Sequence, residues 1–505
     1  MAIYRIYPSI GFARVGGDDD FFLGPEIPGQ GPIELDGATV TRFKSTNHKL
    51  IRKQAARFRL FQSDDGGTTW LPAELPASAT VEWSVTLHNK KAAVVRSSEP
   101  PTSPQRPVMD PAAAAMSIQP PTATISGPGK VGTPIEDTFT TTGNGGTPFN
   151  AQVKLGQLRT DAEGRLIVLG GDGISDSPTG TPIGGLAGTT YYKNPKWYDD
   201  VADGPVTATI KLTPDAEPIA AEGGAWVIVG PPDFAPGIGG IVTLYDVVRQ
   251  VGIDQLGFPP PPLIPSFDRD IMPIIRRARR HRWVHNGPQW GNAAFDASDA
   301  DLRSKDPAKD GIKEAVRKRI LLAEDVTEGG FAGHTSPAGP PFKLRKHQTD
   351  ALNAWLARNF DDKPAPFDAT PTAEGLTRAA LEGAVGQGFC PGIEAGILVL
   401  DKTIYRSPFD FRIDHASVAA GDLTALMAQP WQADFLKCHT EWWPSQRPDL
   451  APQSNDFEDN KRWIRGIGGS EHGKLVKEFQ RLGFIVQTGP ESFVEAERDT
   501  TFPVA

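Results

Sequence analysis

The sequence predicts an α+β protein with a β-rich amino-terminal half and a more helical carboxy-terminal half carrying many long ordered loops. Three observations predict it. Period-two alternation of apolar and polar residues recurs before residue 240, as in stretches 3–7, 57–61 and 81–87. After residue 240 the apolar spacing becomes helical, most clearly over 344–360. Gly 53 and Pro 47 together make about a fifth of the 505 residues, which demands frequent turns.

Four regions follow from these patterns. Residues 1–97 read as β, with the turn cluster Ser63-Asp64-Asp65-Gly66-Gly67 behind the strand at 57–61. Residues 98–150 are rich in Pro, Thr, Ser, Gly and Ala and read as an extended connector. Residues 151–240 resume as strands at 154–160, 165–171, 206–211 and 225–229, with the run Trp197 to Pro205 between the second and third. The glycine-rich stretch 170–190 lacks a following Gly-Lys-Ser/Thr, so it is not a phosphate-cradling loop. Residues 241–505 are mainly helical. Helices are expected at 242–251, 270–284, 344–360, 372–385 with Thr372 as cap, 423–429, 431–439 with Pro430 near the first helical position, and 473–482; a strand is expected at 484–487. Phe258-Pro259-Pro260-Pro261-Pro262 is a rigid polyproline spacer.

Composition excludes several functions. A net charge of −9 argues against nucleic acid or an anionic membrane as the main partner. The basic run Arg276, Arg277, Arg279, Arg280, Arg282 is instead expected to pair with acidic neighbours. Two cysteines, Cys390 and Cys438, rule out a disulfide framework and any cysteine-rich zinc module. No apolar run approaches membrane-spanning length and no secretory signal opens the chain, which gives a cytoplasmic location, or export by a route the sequence does not show. His281 and His285 have ligand spacing, but the arginines around them would repel a cation, and no metal is assigned. A Cys438–His439 nucleophile is unsuitable, because adjacent helical residues point about 100° apart.

The stretch from Pro430 to Pro444 holds one of the two cysteines and three of the eleven tryptophans, Trp431, Trp442 and Trp443. On a helix, Asp434 and Cys438 fall at i and i+4, one turn apart on one face. A carboxylate raises the pKa of a neighbouring thiol, so this pair is unsuited to a free thiolate nucleophile. It suits a site where the carboxylate takes protons from an aromatic ring as sulfur bonds to that ring; the alternative is a buried cysteine with Asp434 in solvent.

Several motifs in order then resemble one family. They are Tyr7 to Gly16, Arg52 to Arg59, Trp197 to Asp200 with Asp203 to Val206, Phe389-Cys390-Pro391-Gly392-Ile393-Glu394, Pro430 to Phe435, and Trp442 to Asp449. Across the length of the chain they resemble the LodA-like quinoproteins, which include lysine ε-oxidase and glycine oxidase. The resemblance implies cysteine tryptophylquinone, a cofactor made from the protein's own cysteine and tryptophan, with an aspartate four residues before the cysteine assisting its maturation. Asp434 and Cys438 match that spacing.

For the tryptophan, Trp463 is the first choice, with Trp442 and Trp443 as alternatives. The implied reaction is oxidative deamination of the primary amine of an amino acid by O2, giving ammonia and hydrogen peroxide. Asp434 would be base or maturation residue. Tyr198 would line the substrate pocket, or else pack between domains. The resemblance also implies a flavoprotein maturation partner and homo-oligomers. Phe479 is a position where a tryptophan would be acceptable; if the modified ring belongs there, the chain is a quinone-free structural or binding protein.

Overall fold

The computed structural model describes residues 2–97, 101, 103–178, 192–287, 290–324, 343–386, 395–437, 445–467 and 472–501, without the side chains of 322–324, 434, 436, 437, 472 and 473. Thirteen strands form one mixed sheet. They are β1 (Ile3–Tyr7), β2 (Ile10–Arg14), β3 (Asp18–Leu23), β4 (Arg52–Ser63), β5 (Leu71–Pro72), β6 (Thr80–Val85), β7 (Ala123–Ser126), β8 (Val131–Thr142), β9 (Pro148–Thr160), β10 (Leu166–Gly170), β11 (Ala202–Lys211), β12 (Ile219–Ala220) and β13 (Ala225–Gly230). The main path runs β7-β6-β11-β13-β2-β4-β10-β9-β8. Helices follow: α1 (Leu244–Gln255), α2 (Met272–Arg280), α3 (Asp299–Arg303), α4 (Asp310–Glu324), α5 (Lys346–Leu356), α6 (Ala373–Glu382), α7 (Trp431–Lys437) and α8 (His472–Glu478). Two small hairpins, β14 (Leu450–Pro452) with β15 (Asn460–Arg462) and β16 (Phe484–Gly489) with β17 (Ser492–Ala496), complete the carboxy-terminal part.

The sheet divides the interior because successive strand residues point to opposite faces. On β2 and β13, Ile10, Phe12, Trp226 and Ile228 enter a core with α1, α2 and α5. Their neighbours Ala13, Val227 and Val229 enter the other core, which also contains Trp431, Phe435, Trp463 and Phe479. The central strands are thus covered on both faces, and the second face carries α7.

Three expectations are corrected. Residues 123–150, read as connector, form β7, β8 and the start of β9. β8 and β9 pair along their length, from Val131↔Arg159 to Thr142↔Pro148, and β7 pairs with β6. β8 is an edge strand whose only buried residues are Ile135 and Phe139, too sparse to show alternation. Residues 423–429 are not helical, because distant groups take their backbone atoms. Arg96 donates to the Ala425 and Met427 carbonyls, and Asp203 accepts from the Leu423 and Thr424 amides. Pro430 precedes α7 rather than opening it. The strand expected at 484–487 is real and longer, and β17, not foreseen, pairs with it.

The helix expectations otherwise hold. Thr243 and Asp246 form a capping box on α1, and the Thr372 hydroxyl accepts from Gly375 N at α6. The arginines of α2 and the turn after it are ion-paired: Arg277 with Asp246 at 3.3 Å, Arg279 with Asp299 at 3.1 Å, Arg280 with Glu491 at 3.2 Å, and Arg282 with Asp296 at 2.7 Å.

Candidate active site

α7 is seven residues long, too short to be stable alone, so its position is set by what holds it. Its first amide, Trp431 N, donates to Asp199 Oδ2 at 2.9 Å. That carboxylate also takes Asn89 Nδ2 on Oδ1 at 2.9 Å and an ion pair from Lys91 Nζ, with both acid and amine fully out of solvent. The approach to the helix is templated from the segment that carries Asp199. Gln429 Nε2 donates to the Trp197 carbonyl at 2.6 Å, and Asn194 Nδ2 donates to the Gln429 carbonyl at 2.8 Å. Midway, Ser175 Oγ donates to Gln432 Oε1 at 2.9 Å. Further on, Arg447 Nε donates to the Phe435 carbonyl at 2.6 Å.

Aromatic rings surround the helix. Trp431 meets Phe435 and Phe479 edge to face, each with centroids 5.0 Å apart. Phe234 meets Phe435 at 6.2 Å and Trp463 at 4.8 Å. Trp463 is fully buried. Its Nε1 donates to the Gly483 carbonyl at 2.8 Å, and the Arg447 guanidinium lies 5.5 Å over its ring. The structure therefore places Trp463 one side chain from α7 through Phe234, and again through Arg447. Asp434 lies on α7 by its backbone, its side chain undescribed; Cys438, Trp442, Trp443 and Cys390 lie outside the described residues.

Tyr198 is buried against Phe139 at 4.9 Å and Phe149 at 6.4 Å, so the β8–β9 hairpin packs on its ring. Burial first, then the charges of Asp176 and Asp200, push its phenol up to about 12. His285 uses its Nδ1 lone pair on Gly287 N at 2.8 Å and Trp290 Nε1 at 2.9 Å. Burial holds His281 down to about 4 and His285 to about 3, as packed neutral rings.

Sequence reasoning marked the run Trp197 to Pro205 but gave no role to its acids. Asp203 accepts from Trp226 Nε1, Thr424 N and Thr424 Oγ1. Burial raises it to about 6. Asp200 Oδ2 accepts from Gly173 N at 2.6 Å and Ile174 N at 3.1 Å, and burial raises it to about 7. The available signal was three acids in five residues inside an apolar setting of Val201, Ala202 and Val206. Raised acids bind protons more tightly folded than unfolded. Their stabilising contribution is present below the unfolded pKa near 4 and is lost as pH rises to about 7. Asp200→Asn is expected to remove that loss, leaving the variant more stable than wild type at pH 8 by up to about 4 kcal/mol, read by urea unfolding at pH 5 and pH 8.

The architecture is α+β, and the candidate site draws on residues from both halves of the chain. A family model described as L-lysine epsilon oxidase N-terminal matches residues 7–229, and one described as L-lysine epsilon oxidase C-terminal domain matches residues 340–456. The chain belongs to the LodA-like family of amino-acid oxidases. It is 27% identical to the L-lysine 6-oxidase of Marinomonas mediterranea over 532 aligned positions, covering 86% of this chain and 70% of that protein. The crystal structure of the L-Lys epsilon-oxidase from that organism has the same fold, with a TM-score of 0.76, 23% identity, and coverage of 98% of this chain and 95% of that one. A structure of the same enzyme's Schiff base intermediate with L-Lys superposes with a TM-score of 0.75, at 23% identity and the same coverage.

Proposed function

We propose that this chain is a quinoprotein oxidase that deaminates the primary amine of an amino acid, or an amino-acid-like compound, with O2 and water, giving ammonia and hydrogen peroxide. The observation that carries the reading is the fixing of α7. Asp199, Ser175 and Arg447 hold the helix whose backbone includes Asp434 and which Cys438 follows in the sequence. The Marinomonas relative, named for an oxidase acting on lysine, supports a primary amine as the substrate class.

The residues present fit a protein-derived cysteine tryptophylquinone. Trp463 stands in the packing layer next to α7, and its indole orientation is fixed by the Gly483 carbonyl. Cys438 and Trp463 would carry the group, which supplies an electrophilic carbonyl and a sink for two electrons. The Asp434 carboxylate takes protons, first in maturation and then from the carbon next to the amine. Arg447, bound to the Phe435 carbonyl and lying over Trp463, keeps helix and ring in register and favours an electron-rich ring beneath it. Tyr198 lines the substrate side, a flavoprotein partner performs the maturation, and the chain acts as a homo-oligomer. No helix among the described residues is long and apolar enough to cross a membrane.

The test is peptide mass spectrometry on protein from the native host, or co-expressed with the flavoprotein. The Cys438 peptide is expected joined to the Trp463 peptide with two added oxygens, and Asp434→Ala is expected to abolish the join. A join that still forms in that variant removes Asp434 from maturation. A quinone-free binding protein is the second reading, favoured by one observation: Phe479, not a tryptophan, is the ring that packs directly on Trp431 of α7. A free Cys438 with unmodified Trp463, in protein matured beside the flavoprotein, decides for it.

A further inference from the structure

Of the acids following Tyr198, two are saturated and one is not. Asp203 accepts from the Trp226 indole, the Leu423 and Thr424 amides and the Thr424 hydroxyl. Asp199 holds Asn89, Lys91 and Trp431 N. Asp200 is bound on Oδ2 alone; its Oδ1 is buried without a hydrogen-bond partner. Buried polar atoms without partners are rare and call for explanation.

Two more such atoms belong to α7: Trp431 Nε1 and Gln432 Nε2. All three residues border the loop 171–175. Asp200 binds its Gly173 and Ile174 amides. Ser175 holds Gln432 by Oε1, which fixes the amide's orientation and leaves Nε2 pointing elsewhere. Trp431 rests on Phe479, whose ring tip lies 2.7 Å from where a Cβ on Gly173 would stand. A Cβ on Gly171 would lie 2.5 Å from Asp200 Oδ2, so the loop approaches as closely as it does only through glycine. Ile174, whose amide binds Asp200, is 55% exposed, so solvent stands one residue from the carboxyl. Two N–H donors and one carboxyl oxygen around one loop match the needs of ordered water, which takes two to four polar partners.

We propose that Asp200 is a proton-transfer residue of this site: with Trp431 Nε1 and Gln432 Nε2 it holds ordered water that carries protons between solvent at Ile174 and the α7 face where the amine is oxidised. The inference rests on the oxidase reading. In that reaction RCH2NH2, O2 and H2O become RCHO, NH3 and H2O2. Two electrons and two protons leave the amine and reach dioxygen. The Asp200 carboxylate takes up one proton through the water and, as the acid, returns it for delivery to reduced dioxygen, so the residue is unchanged by a turnover. Its surroundings suit both forms. Burial raises it to about 7, and nearby Asp199 and Asp172 add to the rise. The charges facing it are otherwise compensated: Asp199 by Lys91, and Asp172 by Lys53 at 2.9 Å and Lys154 at 3.0 Å. Tyr198 and Asp176 are the charged or titratable groups on its hairpin side, and the described α7 side chains that border the same loop, Trp431 and Gln432, are uncharged.

The test compares matured wild type, Asp200→Asn and Asp200→Glu. Asparagine keeps an acceptor for Gly173 N and Ile174 N but cannot move a proton. It is expected to lower kcat about 100-fold, to abolish the near-neutral limb of the kcat–pH profile, and to leave KM within about twofold, with Asp200→Glu restoring much of kcat. A second readout is independent of turnover. Infrared titration of the purified protein is expected to show protonated carboxyl absorption lost near pH 6 from Asp203 and near pH 7 from Asp200, and only the second is missing in Asp200→Asn. An Asp200→Asn enzyme with wild-type kcat and pH profile overturns the proposal, as does a near-neutral carboxyl titration that Asp200→Asn leaves unchanged. A wild type with the band but no Cys438 crosslink and no peroxide sinks the oxidase reading instead, and the proton-transfer role with it.

Discussion

Asp199→Ala is expected to destabilise the protein by about 3–5 kcal/mol and to release α7, because it breaks a buried pair while leaving one charge behind. The Lys91 side chain is 2% exposed and that of Asp199 0%. Without the carboxylate, the buried Lys91 ammonium loses its ion-pair partner Asp199, and Asn89 Nδ2 and Trp431 N lose an acceptor. Asp199→Asn retains an acceptor for part of the set and is expected to cost less. The double variant Asp199→Ala with Lys91→Met is expected to recover much of the loss, since removing both charges removes the penalty. Denaturant midpoints measure the stability, and hydrogen exchange of residues 431–437 measures the hold on the helix. A single variant that unfolds like wild type, with α7 amides equally protected, would show that the helix is held by ring packing alone.

Much of the fold was readable because local pattern and tertiary role agree. The alternation in Arg57-Phe58-Arg59-Leu60-Phe61 appears as β4, whose Phe58 and Leu60 face one core and whose Arg57 and Arg59, on the other face, share Glu26. Thr372 caps α6 through a contact three residues away, which sequence spacing can carry. What was not readable depends on partners far along the chain. Residues 425–429 have helical composition, yet Arg96 and Asn194 hold their carbonyls from more than 230 residues away. β8 keeps only two buried residues as an edge strand. The acids at 199, 200 and 203 show no period, and their difference lies in the partners each finds: Lys91 for the first, Gly173 and Ile174 for the second, Thr424 and Trp226 for the third. The spacing of Asp434 and Cys438 singles out Asp434 as a candidate, and the backbone that carries it is helical as far as Lys437. Trp463 was chosen without a spacing rule; its nearness to α7 arises from the 484–496 hairpin, where Phe484 packs on Phe234 at 5.0 Å.

Trp463→Phe is expected to abolish both the crosslinked peptide and peroxide formation, while costing the fold about 2–3 kcal/mol. The fold cost comes from the Gly483 carbonyl, which loses its indole donor in a fully buried place, and from the ring volume lost beside Phe234. The chemical loss is all or none, since phenylalanine offers no indole for a quinone. Peptide mapping separates the two effects, because a folded variant still yields a free Cys438 peptide. A crosslink that persists moves the ring to Trp442 or Trp443. Phe479→Trp is the complementary probe. That ring already meets Trp431 at 5.0 Å and stands where a Cβ on Gly173 would come within 2.7 Å, so an indole overpacks the site by about 1–3 kcal/mol. If wild type carries no crosslink but Phe479→Trp acquires one when matured beside the flavoprotein, the helix and its carboxylate are competent and only the ring is missing. If Trp463→Phe alone removes the crosslink, the indole beneath Arg447 is the one the site was built around.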